Sequence, residues 1–128
     1  MAFLANYRCA TPGLLGAPDL NLELVVSSPF DEPGLTSVHG LGKLFQSTSP
    51  PLNLATKISG IVHMLNGPTS VAMTGTSFIT GAENFQGVLV LPHGWGKPGS
   101  ASYRYVRDGR QIDVGPVPAE PVAAEAAA

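Results

Sequence analysis

Cysteine is almost missing from this chain: Cys9 stands alone. A single thiol excludes an internal disulfide and every cysteine-rich zinc module, and with a reducing compartment as the natural setting the chain reads as cytoplasmic. Charge is scarce as well, at 12% of residues, about half the usual share. The seven Lys and Arg side chains are scattered and the net charge is −2. No basic patch is therefore expected to neutralise phosphates, and nucleic acid is not an expected partner. Nowhere do eighteen apolar residues run together, so no helical membrane span is expected, and Met1 to Pro12 lacks the apolar run of a signal peptide.

The compact motifs of catalysis and cofactor binding are missing too. There is no G-x-S-x-G elbow. His39, His63 and His93 fall on different predicted elements, none close in sequence to a second ligand, so neither a metal nor any other cofactor is expected. Asp31-Glu32 lies in a Pro-bounded loop and reads as turn chemistry rather than an acid/base pair. Gly94-Trp95-Gly96-Lys97-Pro98-Gly99 has the spacing of a dinucleotide fingerprint. A phosphate site there needs a helix opening directly after the glycines, whereas Pro98 and the strand-like Ala101 to Val106 follow, so the segment reads as a glycine-rich turn. Arg8, the one basic neighbour of Cys9, falls on the opposite face of an alternating strand, which makes Cys9 a buried small hydrophobe rather than a nucleophile.

What the chain has is Gly (15), Pro (12) and 44% hydrophobic residues in 128, the mixture of strands punctuated by turns in one domain. Leu20, Leu22, Leu24 and Val26 alternate with Asn21, Glu23 and Val25, a period of two that predicts a strand with one apolar face. The same alternation runs from Leu52 to Leu65, with a bend expected at Gly60, and ends at Asn66-Gly67, the strongest short hairpin signal, so Ser70 to Ser77 should pair back on it. Asp108-Gly109 is a second such turn. Its two-residue loop sets Tyr105 opposite Ile112, Arg104 opposite Asp113 and Tyr103 opposite Val114, so that apolar meets apolar and Arg meets Asp. Phe3 to Cys9, Leu35 to Phe45 with bulges at Gly40 and Gly42, and Phe85 to Leu91 complete about eight strands. The expected fold is all-β, mostly antiparallel, in a single barrel or sandwich over residues 1–115, with a flexible Pro/Ala-rich tail over 116–128.

The matching stretches Gly16-Ala17-Pro18 into Leu20 to Val25, Ser49-Pro50-Pro51-Leu52 through Thr56 to Gly60, and Gly99-Ser100-Ala101-Ser102-Tyr103-Arg104-Tyr105 give the chain a resemblance to a family. It resembles the small bacterial proteins catalogued as a domain of unknown function, DUF1842, over most of its length up to Pro118. The resemblance implies a bacterial source. It carries no catalytic residue onto this chain, and Gly81-Ala82-Glu83-Asn84 replaces an aromatic, histidine-containing loop of the family.

Three functional readings follow. The first is a non-enzymatic binding or self-assembling protein that forms a homo-oligomer, because the strand Phe85 to Leu91 is apolar on both faces and one of them needs cover. Val88 and Leu89, on opposite faces, are its candidate interface residues. The second is a barrel that holds a small apolar ligand. The third is an enzyme with an unfamiliar site at His93, Trp95 and Arg104. In the first two readings these same three residues are the candidate contacts to a ligand or partner, Trp95 being a large aromatic in an exposed glycine loop.

Overall fold

Period-two alternation shapes the strands of this chain. In a computed structural model, which describes residues 2–9, 19–27, 36–46, 52–64, 68–107 and 109–122, eight strands follow one another: β1 (Ala2–Cys9), β2 (Asp19–Ser27), β3 (Thr36–Gln46), β4 (Leu52–Met64), β5 (Thr69–Ser77), β6 (Glu83–Leu91), β7 (Gly99–Arg107) and β8 (Arg110–Pro121). Each pairs antiparallel with the next, and β8 returns to β1, so the open choice between barrel and sandwich resolves to a closed up-and-down barrel. Closure pairs the first strand with the last, which is how an all-antiparallel chain limits its free edges.

The lumen is packed with side chains. Leu20, Leu22, Leu24 and Val26 of β2 point inward, joined by Val38 and Leu44, Ile58 and Val62, Val71 and Met73, Phe85, Leu89 and Leu91, and Tyr103 and Tyr105 from the following strands. Eight strands make a barrel just wide enough for side chains to fill it. Cys9, Leu20, Leu24, Leu44, Val71, Leu89, Leu91 and Ala119 each have 0% exposure, so no water-sized void touches them.

β5 pairs back on β4 as expected, and the second Asx-Gly hairpin has its expected register. Met64 lies opposite Thr69 and His63 opposite Ser70, although Asn66 and Gly67 lie outside the described residues. Arg104 lies opposite Asp113 and Tyr105 opposite Ile112, with Gly109 at φ +75°, while Asp108 lies outside the described residues. Asp31-Glu32 lies outside them too.

Two expectations change. The register of β3 runs without interruption past Gly40 and Gly42, so neither is a bulge. Gly40 instead lets β3 close in on β2, since a Cβ there would lie 2.0 Å from the Glu23 carbonyl oxygen. The second change is at the C-terminal end. The expected tail boundary at 115/116 fails, because β8 continues to Pro121 and its last residues close the barrel, Cys9 opposite Ala119, Arg8 opposite Glu120 and Tyr7 opposite Pro121. The register shifts between Ala101 and Tyr103, with Gly115 at φ +126° on the facing strand. This bulge flips the parity of β8, turning Val117 and Ala119 inward where they are buried. Residues 123–128 lie outside the described residues.

Candidate functional site

The reactive side chains of the lumen are muted by their surroundings. Burial pushes the Cys9 thiol up to about 12. Burial, and then the neighbouring Cys9, Tyr105 and Asp19, also raises Tyr103. Tyr7 is raised by burial, partly offset because its hydroxyl oxygen accepts a 2.9 Å hydrogen bond from the Gly96 N–H. A thiol that keeps its proton at neutral pH is a poor nucleophile. Among the described residues no three His, Cys, Asp or Glu side chains gather in a metal-sized group.

His93, Trp95 and Arg104 are not brought together. His93 and Trp95 lie in the turn between β6 and β7, with Gly94 at φ +89° and Gly96 at φ +77°, and β7 begins directly at Gly99. This is the glycine-rich turn expected, with a strand where a phosphate site would need a helix. His93 is exposed, whereas Trp95 is half-buried, packs on the core and meets Phe3 edge to face at 5.6 Å between ring centroids. Arg104 lies on the outer wall four residues along β7 from Ser100, the partner of Val90, about 13 Å from that end of the barrel. Its guanidinium binds Asp113 through Nε to Oδ1 at 2.6 Å and Nη2 to Oδ2 at 3.4 Å. That hydrogen bond raises Arg104 and holds the Asp113 carboxyl below its ordinary value.

The outer wall separates the two candidate interface residues. Leu89 points into the lumen, while Val88 and Val90 point outward at 42% and 40% exposure. Val88 belongs to a row that crosses four strands in register, Ile61, Ala72, Val88 and Ser102. Parallel rows flank it: His63, Ser70, Val90 and Ser100 on one side, and Ser59, Thr74, Gln86, Arg104 and Asp113 on the other. Formal charge enters these rows only as the mutually neutralised Arg104–Asp113 pair. Arg8, Asp19, Glu23 and Lys43 face outward on β1 to β3, and Lys57, Glu83, Arg110 and Glu120 are exposed on β4 to β8 outside these rows. Small residues along the wall leave an open depression of about 610 Å³ floored by Ala72, Gly87, Val88, Ser102 and Gly115. A second, of about 400 Å³, lies beside it at Ser59, Ile61, His63 and Ala72.

Sequence reading missed Ile61, Ala72 and Ser102 as members of this surface. The signal was there in part, since the Asn66-Gly67 register already sets Ile61 opposite Ala72. Their placement beside Val88 needed the β5–β6 register, which shifts between Gly75 and Thr76 and carries no comparable turn signal.

A family model described as a domain of unknown function (DUF1842) matches residues 1–111. The chain belongs to this family. The match to DUF1842 spans β1 to β7 and the start of β8, so it contains every residue of the outer-wall rows except Asp113. No curated protein matches the DUF1842 chain.

Proposed function

We propose that this DUF1842 protein is a non-enzymatic β-barrel domain that works by self-association through the outer wall of β4 to β8. The observation that carries this reading is the uncharged row Ile61, Ala72, Val88 and Ser102, continuous across four hydrogen-bonded strands and open to solvent. Interface cores are depleted in charge, and three rows whose only ions cancel one another can meet their own copy without opposing like charges. A twofold pair about this wall is the simplest closed arrangement. Five strands at about 4.8 Å spacing and three rows at about 6.8 Å make a patch of about 500 Å² per copy. That is the lower range for specific association, so the pair forms and dissociates with concentration.

The packed lumen argues against a small apolar ligand inside the barrel, and the separation of His93 and Trp95 from Arg104 argues against a shared catalytic centre at those residues. Native mass spectrometry over a concentration series tests the reading. The expected result is a set of whole-number multiples of the single-chain mass that grows with concentration, the dimer first, with no additional small molecule bound. A barrel that stays at 13.2 kDa, or that retains a bound molecule of defined mass, would refute it.

A further inference from the structure

Ile79 is 95% exposed and Phe78 61%, both at the tip of the β5–β6 connection. The turn beneath them is firmly built. Ser77 N–H donates to the Ala82 carbonyl at 2.8 Å and Gly81 N–H to the Ser77 carbonyl at 3.0 Å. Ser77 Oγ accepts from the N–H groups of Ile79 and Thr80 at 3.1 and 3.3 Å, and Thr80 Oγ1 accepts from the Ala82 N–H at 3.2 Å. Five hydrogen bonds over six residues fix the backbone while its two large apolar side chains stand uncovered. That is a pre-organised anchor, which loses little entropy on docking.

At the other end of the barrel a recess of about 290 Å³ opens between the start of β1 and the β6–β7 turn. Phe3, Leu4, Tyr7, Trp95 and Val122 line it, with Leu4 64% and Val122 48% exposed. An engineered apolar cavity of about 150 Å³ holds a benzene ring, so the recess has room for a large side chain. No charged residue lines the recess, and Glu83 is the only formal charge between Lys57 and Lys97, the stretch that contains the anchor. The nine residues of β6 separate the two ends by about 27 Å, so an anchor cannot reach the recess of its own barrel.

We propose that Phe78 and Ile79 of one copy seat in the Phe3–Trp95 recess of the next, a head-to-tail contact independent of the outer-wall pair. An apolar anchor at one end and an uncharged recess, lined by Asn6 beside its apolar residues, at the other can meet only as a heterologous contact. Lys57, opposite Thr76 at the base of the turn, and Arg110, which opens β8 at the same end of the barrel, would also suit a lipid surface, so the test separates that partner from a second copy.

Two variants, each with Val88→Lys to remove the outer-wall contact, make the test. Phe78→Ser/Ile79→Lys disables the anchor and keeps the recess; Leu4→Glu disables the recess and keeps the anchor. All three positions are exposed, and circular dichroism verifies each fold. In sedimentation velocity each variant alone is expected to remain a monomer, while an equimolar mixture forms a one-to-one pair. The Val88→Lys parent is expected to assemble further, and the anchor substitutions to weaken that assembly by roughly ten- to a hundredfold. A mixture that stays monomeric overturns the proposal. So does binding of the parent to phosphatidylcholine vesicles that Ile79→Lys abolishes, which would assign the anchor to a membrane.

Discussion

Cys9 has no exposed surface, and its thiol is pushed up to about 12 by burial. The folded value lies above that of the unfolded chain, so the stability it contributes is complete below the ordinary thiol range. That contribution is lost as pH rises toward about 12, because the unfolded chain sheds the proton first. Tyr103 is raised as well and acts in the same sense. Melting temperature is therefore expected to hold through neutral pH and fall above roughly pH 8.5, with a shallower fall in Cys9→Ala. A thiol reagent should find no reactive group in the native barrel and one after denaturation. Asp113 behaves oppositely. Its carboxyl is lowered by the hydrogen bond from Arg104, so its contribution is present above the ordinary carboxylate range and lost as pH falls through the lowered value. The pair is solvent-exposed and screened, so the readout is the NMR titration of the Asp113 carboxyl rather than a melt. Arg104→Gln is expected to move that midpoint up toward an ordinary carboxylate, and no movement would break the link between the two groups.

At the scale of elements, the last strand carries most of the weight. Among the described residues, β1 reaches β8 through Tyr7 to Cys9, with one further bond from the Val122 N–H to the Asn6 carbonyl at 2.8 Å. A chain ending at Gly115 loses all of these and the buried Val117 and Ala119, so it is expected to fail to fold cooperatively, which a urea melt would show. Gly40→Ala is expected to cost about 1–3 kcal/mol, because its new Cβ meets the Glu23 carbonyl of the neighbouring strand. Strand content, the pairing of β5 on β4 and the β7–β8 register were legible because each was specified locally, by alternation and an Asx-Gly turn. The end of β8 was not. Its inward residues are a Val and an Ala within a Pro/Ala-rich segment, which composition alone reads as a linker, and its partner β1 is more than a hundred residues away in sequence. The bulge at Gly115 also flips the parity that alternation would extrapolate.

For the whole molecule, the candidate surface was half legible. The double apolar character of β6 marked one face for cover, but only barrel closure decides that Leu89 is inside and Val88 outside. Once that is decided, an uncharged row, Ile61, Ala72, Val88 and Ser102, is set on the wall of β4 to β7. A surface of this kind is where the proposed self-association would take place. The most direct measurement is sedimentation velocity on the Ile79→Lys protein, in which the apolar anchor is disabled and the outer wall is intact, beside the same protein with Val88→Lys added. The expected result is a concentration-dependent dimer for the first and a folded monomer for the second, since an unpaired charge at the centre of the contact costs several kcal/mol. An Ile79→Lys protein that remains monomeric at high micromolar concentration, or a dimer indifferent to Val88→Lys, would contradict self-association through this wall.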